Sequence, residues 1–186
     1  EYFVGVGEAA IYGPKMDLIS KDSLGREWQL STIQLDFIMP GRFDLKYVDE
    51  NGELQTPVII HRAIYGSFER FIAILCEHYG GKWPLWLNPK QIKVIPISEK
   101  HLEYANKVKD QLRKHKYYVD VDLTDNTVPK KVREAQVQMY NYILVVGQKE
   151  IDTETVNVRY RDNENKKVMK IDDLLIELNK NVEEFN

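Results

Sequence analysis

The stretch His61-Arg62-Ala63-Ile64-Tyr65-Gly66-Ser67-Phe68-Glu69-Arg70 decides the fold of this 186-residue chain. Just before it, Pro57-Val58-Ile59-Ile60 has no polar alternation, which predicts a strand covered on both faces that ends by delivering His61. Gly66-Ser67 opens a helix with Ser67 as its N-cap. Phe68, Phe71, Ile72 and Leu75 then recur at helical spacing, so one stripe of that helix is expected to face a core. Arg70 falls in the first turn. A helix start offers free N–H groups and a partial positive charge, and a guanidinium placed there suits an anion. Taken alone, an Arg at this position is more often a surface residue. A single His after an apolar strand is likewise more often a hydrogen-bonded structural residue.

Upstream, Arg26 to Phe37 is rich in Trp, Ile, Leu and Thr and reads as a strand. Leu45 to Val48 and Gln55 to His61 flank Glu50-Asn51-Gly52. This predicts a hairpin whose two central turn residues take positive φ. Downstream, Gly80-Gly81 ends the helix, and Trp83-Pro84-Leu85-Trp86-Leu87-Asn88-Pro89 is too apolar for a free linker. The second half changes character. Ile92 to Ile97 reads as a strand, followed by a helix capped by Ser98 and running to about Lys114, buried through Leu102, Ala105, Val108 and Leu112. Tyr117, Val119, Val121 and Leu123 alternate with polar residues as in a half-exposed strand. Pro129 suits the first turn of the next helix, with Val132, Ala135 and Met139 on one side. Tyr142 to Val146 reads as a buried strand, Thr155 to Arg161 as another, and Ile171 to about Glu184 as a final helix. The order β-α-β-α-β-β-α predicts a mixed sheet with helices against it.

Composition bounds the function. Hydrophobic residues make up 43% and charged residues 30% of the chain, enough to bury a core and against wholesale disorder. The formal net charge of −3 does not mark a nucleic-acid binder by composition. Lys and Arg do gather at 105–116, 129–133 and 159–170. The one cysteine, Cys76, cannot form an internal disulfide, which argues against an extracellular scaffold. No apolar run is long enough to span a bilayer. The start has no signal-peptide character, and, lacking an initiator Met, the chain reads as an excised segment. Phosphate-loop, dinucleotide-binding and paired-cysteine zinc patterns are absent.

The run ending in Arg70 resembles motif 3 of class II aminoacyl-tRNA synthetases, in the form found in threonyl-tRNA synthetases. Glu8-Ala9-Ala10-Ile11-Tyr12-Gly13-Pro14-Lys15, Gly25-Arg26-Glu27-Trp28-Gln29 and Thr32-Ile33-Gln34-Leu35-Asp36-Phe37 are similar to upstream pieces of that family. Trp83 to Gln91 is similar to its core-to-anticodon-domain junction. The resemblance covers essentially the whole chain. It implies an α/β (α+β) fold. Residues 1–90 would form the C-terminal portion of the class II catalytic core, part of an antiparallel sheet with the motif 3 helix. Residues 91–186 would form a mixed-sheet anticodon-binding domain.

The resemblance also implies roles. His61 would be one of three zinc ligands, on a metal that holds the amino and hydroxyl groups of threonine; a site that must pair a hydroxyl rejects an isostere without one. Arg70 would neutralise the ATP phosphates, and Lys15 would stand near the threonine carboxylate and the α-phosphate. Gln29, Thr32 and Gly66 fall on the ATP side; Tyr12, Gln34 and Ser67 on the threonine side. His61 and Arg70 are expected to converge on one pocket beside Lys15 and Gln34. Strict alternation puts Gln29 and Gln34 on opposite faces of one strand, so a bulge or bend is expected near Leu30-Ser31. Glu150, Arg159 and Asn126 would read anticodon bases. Met139 stands where the family's pattern has an Arg, with Gln138 and Asn126 as available substitutes, and Gln29-Leu30-Ser31-Thr32 departs from the commoner Gln-Cys-Gly/Ala-Thr.

The implied function is ATP-dependent threonine activation and transfer to tRNA(Thr) by a full-length homodimer with Zn²⁺, and Mg²⁺ accompanying ATP. The implied compartment is cytoplasmic, with mitochondrial as the other possibility. The chain by itself is expected to hold zinc poorly and not to catalyse, because motifs 1 and 2 and two zinc ligands fall outside it. The rival readings are a non-catalytic, synthetase-derived RNA-binding module and another class II synthetase with the same C-terminal domain.

Overall fold

The computed structural model describes residues 2–163 and 165–185. It divides into two compact units, Glu1–Gly80 and Gly81–Asn186. The division falls ten residues before the boundary expected at residue 90, because the junction segment is tied to the second unit. Leu85 and Asn88 are buried there. Asn88 Nδ2 donates to the Met139 carbonyl at 2.9 Å and to Asn141 Oδ1 at 2.7 Å. Asn141 Nδ2 and Arg161 Nη1 both donate to the Trp83 carbonyl.

The first unit contains β1 (Lys15–Lys21), β2 (Glu27–Asp36), the short α1 (Met39–Arg42), β3 (Tyr47–Val48), β4 (Leu54–Gln55), β5 (Ile59–Ala63) and α2 (Phe68–Tyr79). The main sheet runs β1-β2-β5, antiparallel throughout, and β3-β4 form a separate hairpin. The bulge expected near Leu30-Ser31 is present. Leu18 pairs with Ser31 but Ile19 pairs with Gln29, so Leu30 is the extra residue. That one-residue offset turns Gln29 onto the face that carries Gln34.

Three expectations for this unit are corrected. The β3-β4 turn has positive φ at Gly52 (81°) and not at Asn51. It is a longer turn, closed by Asp49 N to the Glu53 carbonyl and by Asp49 Oδ1, which accepts from the N–H groups of Asn51 and Glu53. Pro57 to Ile60 is not covered on both faces: Val58 and Ile60 are exposed, because β5 is a sheet edge with a strand on one side only. Nor is α2 buried. Phe71 and Leu75 are half-buried, while Phe68 and Ile72 are exposed. The caps of α2 are as read: Ser67 Oγ accepts from Arg70 N at 3.4 Å, and Gly80 closes the helix at φ 55°.

The second unit contains β6 (Ile92–Pro96), a single 3₁₀ turn, α3 (Leu102–Lys114), β7 (Val119–Val121), α4 (Val128–Val137), β8 (Tyr142–Val146), α5 (Gln148–Asp152), β9 (Thr155–Tyr160), β10 (Lys166–Lys170) and α6 (Ile171–Glu183). Its five-stranded sheet runs β10-β9-β8-β6-β7. β7-β6-β8 are parallel and β8-β9-β10 antiparallel, the mixed sheet expected; β10 and α5 were not expected. One face packs under α3 and α6 through a large cluster that includes Val94, Val108, Leu112, Leu144, Val156, Val158, Leu174 and Leu178. The other packs under α4 through Ile95, Val132, Ala135, Tyr140, Ile143 and Val145. Two readings change here. Met139 is not on α4, but follows its end at φ 62°. The alternation of β7 stops at Val121. Beyond it Asp122 is buried and Leu123 exposed, since Asp122 turns inward to Thr124 Oγ1 at 2.6 Å and Lys131 Nζ at 3.9 Å. Burial pushes the Asp122 carboxyl up, but the Thr124 hydroxyl and N–H, then Lys93 and Lys131, hold it below the usual range.

Candidate active-site face and nucleic-acid interface

Strand pairing in the first unit lines up three of the candidate residues. Lys15 is directly opposite Gln34, and Gln34 directly opposite His61. Directly opposite residues share a face, so the three form one polar row across all three strands. Tyr12 joins the row from the loop before β1. Its hydroxyl donates to Gln34 Oε1 at 2.7 Å, and its ring meets His61 edge-on at 6.0 Å. That bond fixes the Gln34 amide with its NH₂ turned away from Tyr12. Gly13 makes this approach possible. Its φ is 155°, and a Cβ there would fall 2.2 Å from the Leu35 carbonyl oxygen.

The next rung on the same face is Asp17, Thr32 and Ala63. Lys15 Nζ contacts Asp17 Oδ2 at 2.7 Å, and Gln29 Nε2, brought round by the bulge, donates to Asp17 Oδ1 at 2.8 Å. The hydrogen bond to Asp17 raises the Lys15 pKa. The Asp17 carboxyl is held low, first by Lys15. Gly66 (φ 72°) passes over the bulge, where a Cβ would meet the Leu30 carbonyl oxygen at 3.5 Å. Lys15, Gln29, Thr32, Gln34, Tyr12 and His61 are therefore brought onto one sheet face.

His61 has a partner that the sequence reading did not assign. Its Nε2 lies 2.9 Å from Asp36 Oδ2, while Asp36 Oδ1 accepts from the N–H groups of Ile38 and Met39. Burial pushes the Asp36 carboxyl up, but the Met39 N–H, His61 and the Ile38 N–H outweigh it and hold it below its ordinary value. The signal was available: Asp36 is two residues from Gln34 and so shares its face. A carboxylate accepting from Nε2–H leaves Nδ1 with a free lone pair, which is the usual arrangement behind a metal-bound histidine. Among the described residues no three His, Cys, Asp or Glu side chains cluster to hold a metal, so His61 is not part of a complete metal site among them.

Arg70 does not join this group. Its guanidinium carbon lies 6.0 Å from the Trp28 ring centroid, where Arg26 also stands 5.8 Å away and pairs with Asp22 and Glu77. Trp28 and Gln34 are six residues apart on β2, roughly 15–20 Å along a bulged strand. The expected convergence of His61 and Arg70 on one pocket is therefore not found; they occupy separate environments at the two ends of the sheet. Ser67 is committed to capping α2.

In the second unit, Asn126 and Glu150 follow the carboxyl ends of the parallel strands β7 and β8, the edge where open α/β sheets take ligands. Asn126 Nδ2 reaches Glu134 Oε2 at 3.5 Å. Glu150 is buried, and its Oε2 accepts from Gly147 N at 3.0 Å, closing the first turn of α5. Its placement is thus explained in part by the fold. Arg159 stands apart from both, opposite Ile143 near the start of β8. Its Nε is shielded from solvent without a hydrogen-bond partner.

An antiparallel sheet with a polar row and a capped helix, followed by a mixed sheet with helices on both faces, is the architecture of a class II tRNA synthetase core segment joined to an anticodon-binding domain. Family models agree: residues 4–79 match the tRNA synthetase class II core domain (G, H, P, S and T), and residues 91–181 match the anticodon binding domain. Within that class, the chain belongs to the threonyl-tRNA synthetase family. It is 52% identical over 180 residues to threonine–tRNA ligase, mitochondrial 1, of Arabidopsis thaliana, and 52% identical over 180 residues to the probable cytoplasmic threonine–tRNA ligase 1 of Dictyostelium discoideum. Each match covers 96% of this chain and 25% of the relative, so the chain spans about a quarter of these relatives' length. The crystal structure of the RNA binding domain of threonyl-tRNA synthetase from Cryptosporidium parvum Iowa II superposes with a TM-score of 0.84 at 44% identity, over 94% of this chain and 44% of that one. No helix among the described residues is long and apolar enough to cross a membrane.

Proposed function

We propose that this chain forms part of an enzyme that activates threonine with ATP and transfers it to tRNA(Thr). The observation that supports this best is the row Lys15-Gln34-His61 on one sheet face, with Tyr12 bound to Gln34. In this reading a threonine carboxylate oxygen attacks the α-phosphorus of ATP and pyrophosphate leaves. The terminal ribose hydroxyl of tRNA then attacks the threonyl carbonyl and AMP leaves. Lys15 stands where negative charge gathers at the carboxylate and α-phosphate, a task for a pre-positioned cation. Tyr12 and Gln34 line the amino-acid end, with Ser67 secondary to its capping bond. Gln29, Thr32 and Gly66 line the nucleotide end, and Arg70 meets the polyphosphate.

Zn²⁺ bound through His61, with its other ligands from outside this sequence, would hold threonine by its amino and hydroxyl groups. Mg²⁺ would accompany ATP. The second unit takes the anticodon, with Arg159, Asn126 and Glu150 toward its bases. The full-length enzyme is proposed as a homodimer acting in the cytoplasm or in mitochondria.

The test is threonine-dependent ATP–pyrophosphate exchange by the full-length enzyme. His61→Ala and Arg70→Ala are each expected to abolish exchange while folding is retained. Undiminished exchange in either variant removes that residue from the site.

A further inference from the structure

The shelf formed by β9 and β10 carries two polar atoms that the fold leaves unpaired. Asn157 Oδ1 and Arg159 Nε are both shielded from solvent and both without a hydrogen-bond partner. They are two residues apart on β9 and so point to the same face. Val156 and Val158, which face the other way, are fully buried in the core under α3 and α6. Asn157 and Arg159 are opposite Val145 and Ile143 of β8, which belong to the cluster under α4. No residue of β9 or β10 joins that cluster. On the far side they are opposite Val168 and Lys166 of β10, both exposed. Asn157 and Arg159 therefore lie between the cluster covered by α4 and the exposed residues of β10.

Shielded polar atoms in folded proteins are almost always paired, and a shielded acceptor beside a shielded donor calls for a partner offering both. A phosphate offers acceptors alone; it would satisfy Arg159 and oppose the Asn157 oxygen. The edge of a nucleobase offers N–H donors and carbonyl or ring-nitrogen acceptors side by side, and in single-stranded RNA that edge is free. We infer that Asn157 is a base-contacting residue, its amide oxygen accepting from the same unstacked RNA base to which Arg159 donates. The inference rests on the anticodon-binding reading of the second unit and adds to it a residue that carries no charge.

The test is fluorescence anisotropy of the full-length enzyme with an RNA stem-loop of the threonine anticodon arm. Asn157→Ala is expected to weaken binding about tenfold, the effect of one lost hydrogen bond to a base. Arg159→Ala is expected to weaken it at least as much, and the double variant by less than the product, because both contacts hold one base. The salt dependence of Asn157→Ala should match that of the unaltered chain, since no phosphate contact is lost. Its melting temperature should be unchanged or higher, because an unpaired acceptor has been removed. Asn157→Leu, of nearly the same shape, carries the test if the alanine variant loses stability. Binding by both Asn157 variants equal to that of the unaltered chain, with Arg159→Ala weakened, overturns the inference and leaves the anticodon reading intact. Failure of the unaltered chain to bind the stem-loop overturns that reading itself.

Discussion

Asn88→Ala tests whether the junction segment is structurally part of the second unit. Asn88 is 4% exposed and uses both ends of its amide. Nδ2 donates to the Met139 carbonyl and to Asn141 Oδ1, and Oδ1 accepts from Lys90 N at 3.0 Å. Alanine leaves a backbone carbonyl, a backbone N–H and an amide oxygen without these partners. At about 1 kcal/mol net for each lost bond, and more where a group stays dry, the cost is roughly 3 kcal/mol. Water entering beside Asn141 would keep it near that lower figure. With a urea m-value of about 1.5 kcal/mol/M for a unit of this size, the midpoint should fall by roughly 2 M with m unchanged. The assay is urea unfolding followed at Trp83 and Trp86, in a chain where Trp28, the tryptophan of the first unit, is replaced by Phe. A midpoint shift under about 0.4 M, on the order of 0.5 kcal/mol, would refute the reasoning. The segment would then be lying on the unit without being held by it.

Gly13→Ala is expected to unravel the start of the first unit, because its Cβ would be driven into the Leu35 carbonyl oxygen at a positive φ. The cost should exceed about 3 kcal/mol, seen in hydrogen exchange as lost amide protection over 15–36 with 92–96 and 142–146 unchanged. Equal protection of the two units in the variant contradicts this. Raising the pH should destabilise the second unit. Tyr104, Tyr117, Tyr140, Tyr142 and Tyr160 all have pKa values raised, first by burial, with Tyr160 pushed up to about 12. An unfolded tyrosine ionises near about 10, so between these values the unfolded chain holds fewer protons than the folded one. The stabilisation is complete below about pH 10 and is lost as pH rises toward each folded value. Urea midpoints measured from pH 8 to 11.5 should fall across the upper part of this range, less steeply in Tyr160→Phe; a flat profile would sink the idea.

Features governed by local chemistry were legible in the sequence, and those governed by tertiary covering were not. The Ser67 cap and the Gly80 stop of α2 depend on one residue each and were readable. So was the Leu30 bulge, which followed from requiring Gln29 and Gln34 to serve one face. The apolar run at Pro57 to Ile60 gave the strand but not its exposure, because exposure depends on which strands lie beside β5. Met139 continued the apolar spacing of α4, yet the helix ends two residues earlier, where a left-handed turn leads into β8; periodicity carries no signal for that. Glu150 looked free to meet RNA, but its carboxylate closes α5, a short helix that the sequence reading had not placed.

The candidate site shows the same limit in a sharper form. Resemblance named residues for two tasks without the distance between them. The register supplies it. Lys15, Gln34 and His61 share one rung; Asp17 and Thr32 share the next; Gln29 follows across the bulge; Trp28, with Arg70 over it, comes next in the chain and turns to the opposite face. On the proposed reading, order along β2 from Gln34 to Gln29 runs from the amino-acid end of a ligand toward its nucleotide end. A single compact pocket would need these groups within about one rung of each other, some 7 Å along a strand. The strand instead spreads them over several rungs. On the proposed reading the sheet acts as a ruler, and the bulge at Leu30 sets where its nucleotide portion begins. Restoring a regular ladder there without removing a residue would turn Gln29 to the opposite face. Asp17 would then keep Lys15 but lose its second partner, which is why the bulge, rather than any one side chain, governs how the two ends of the row are joined.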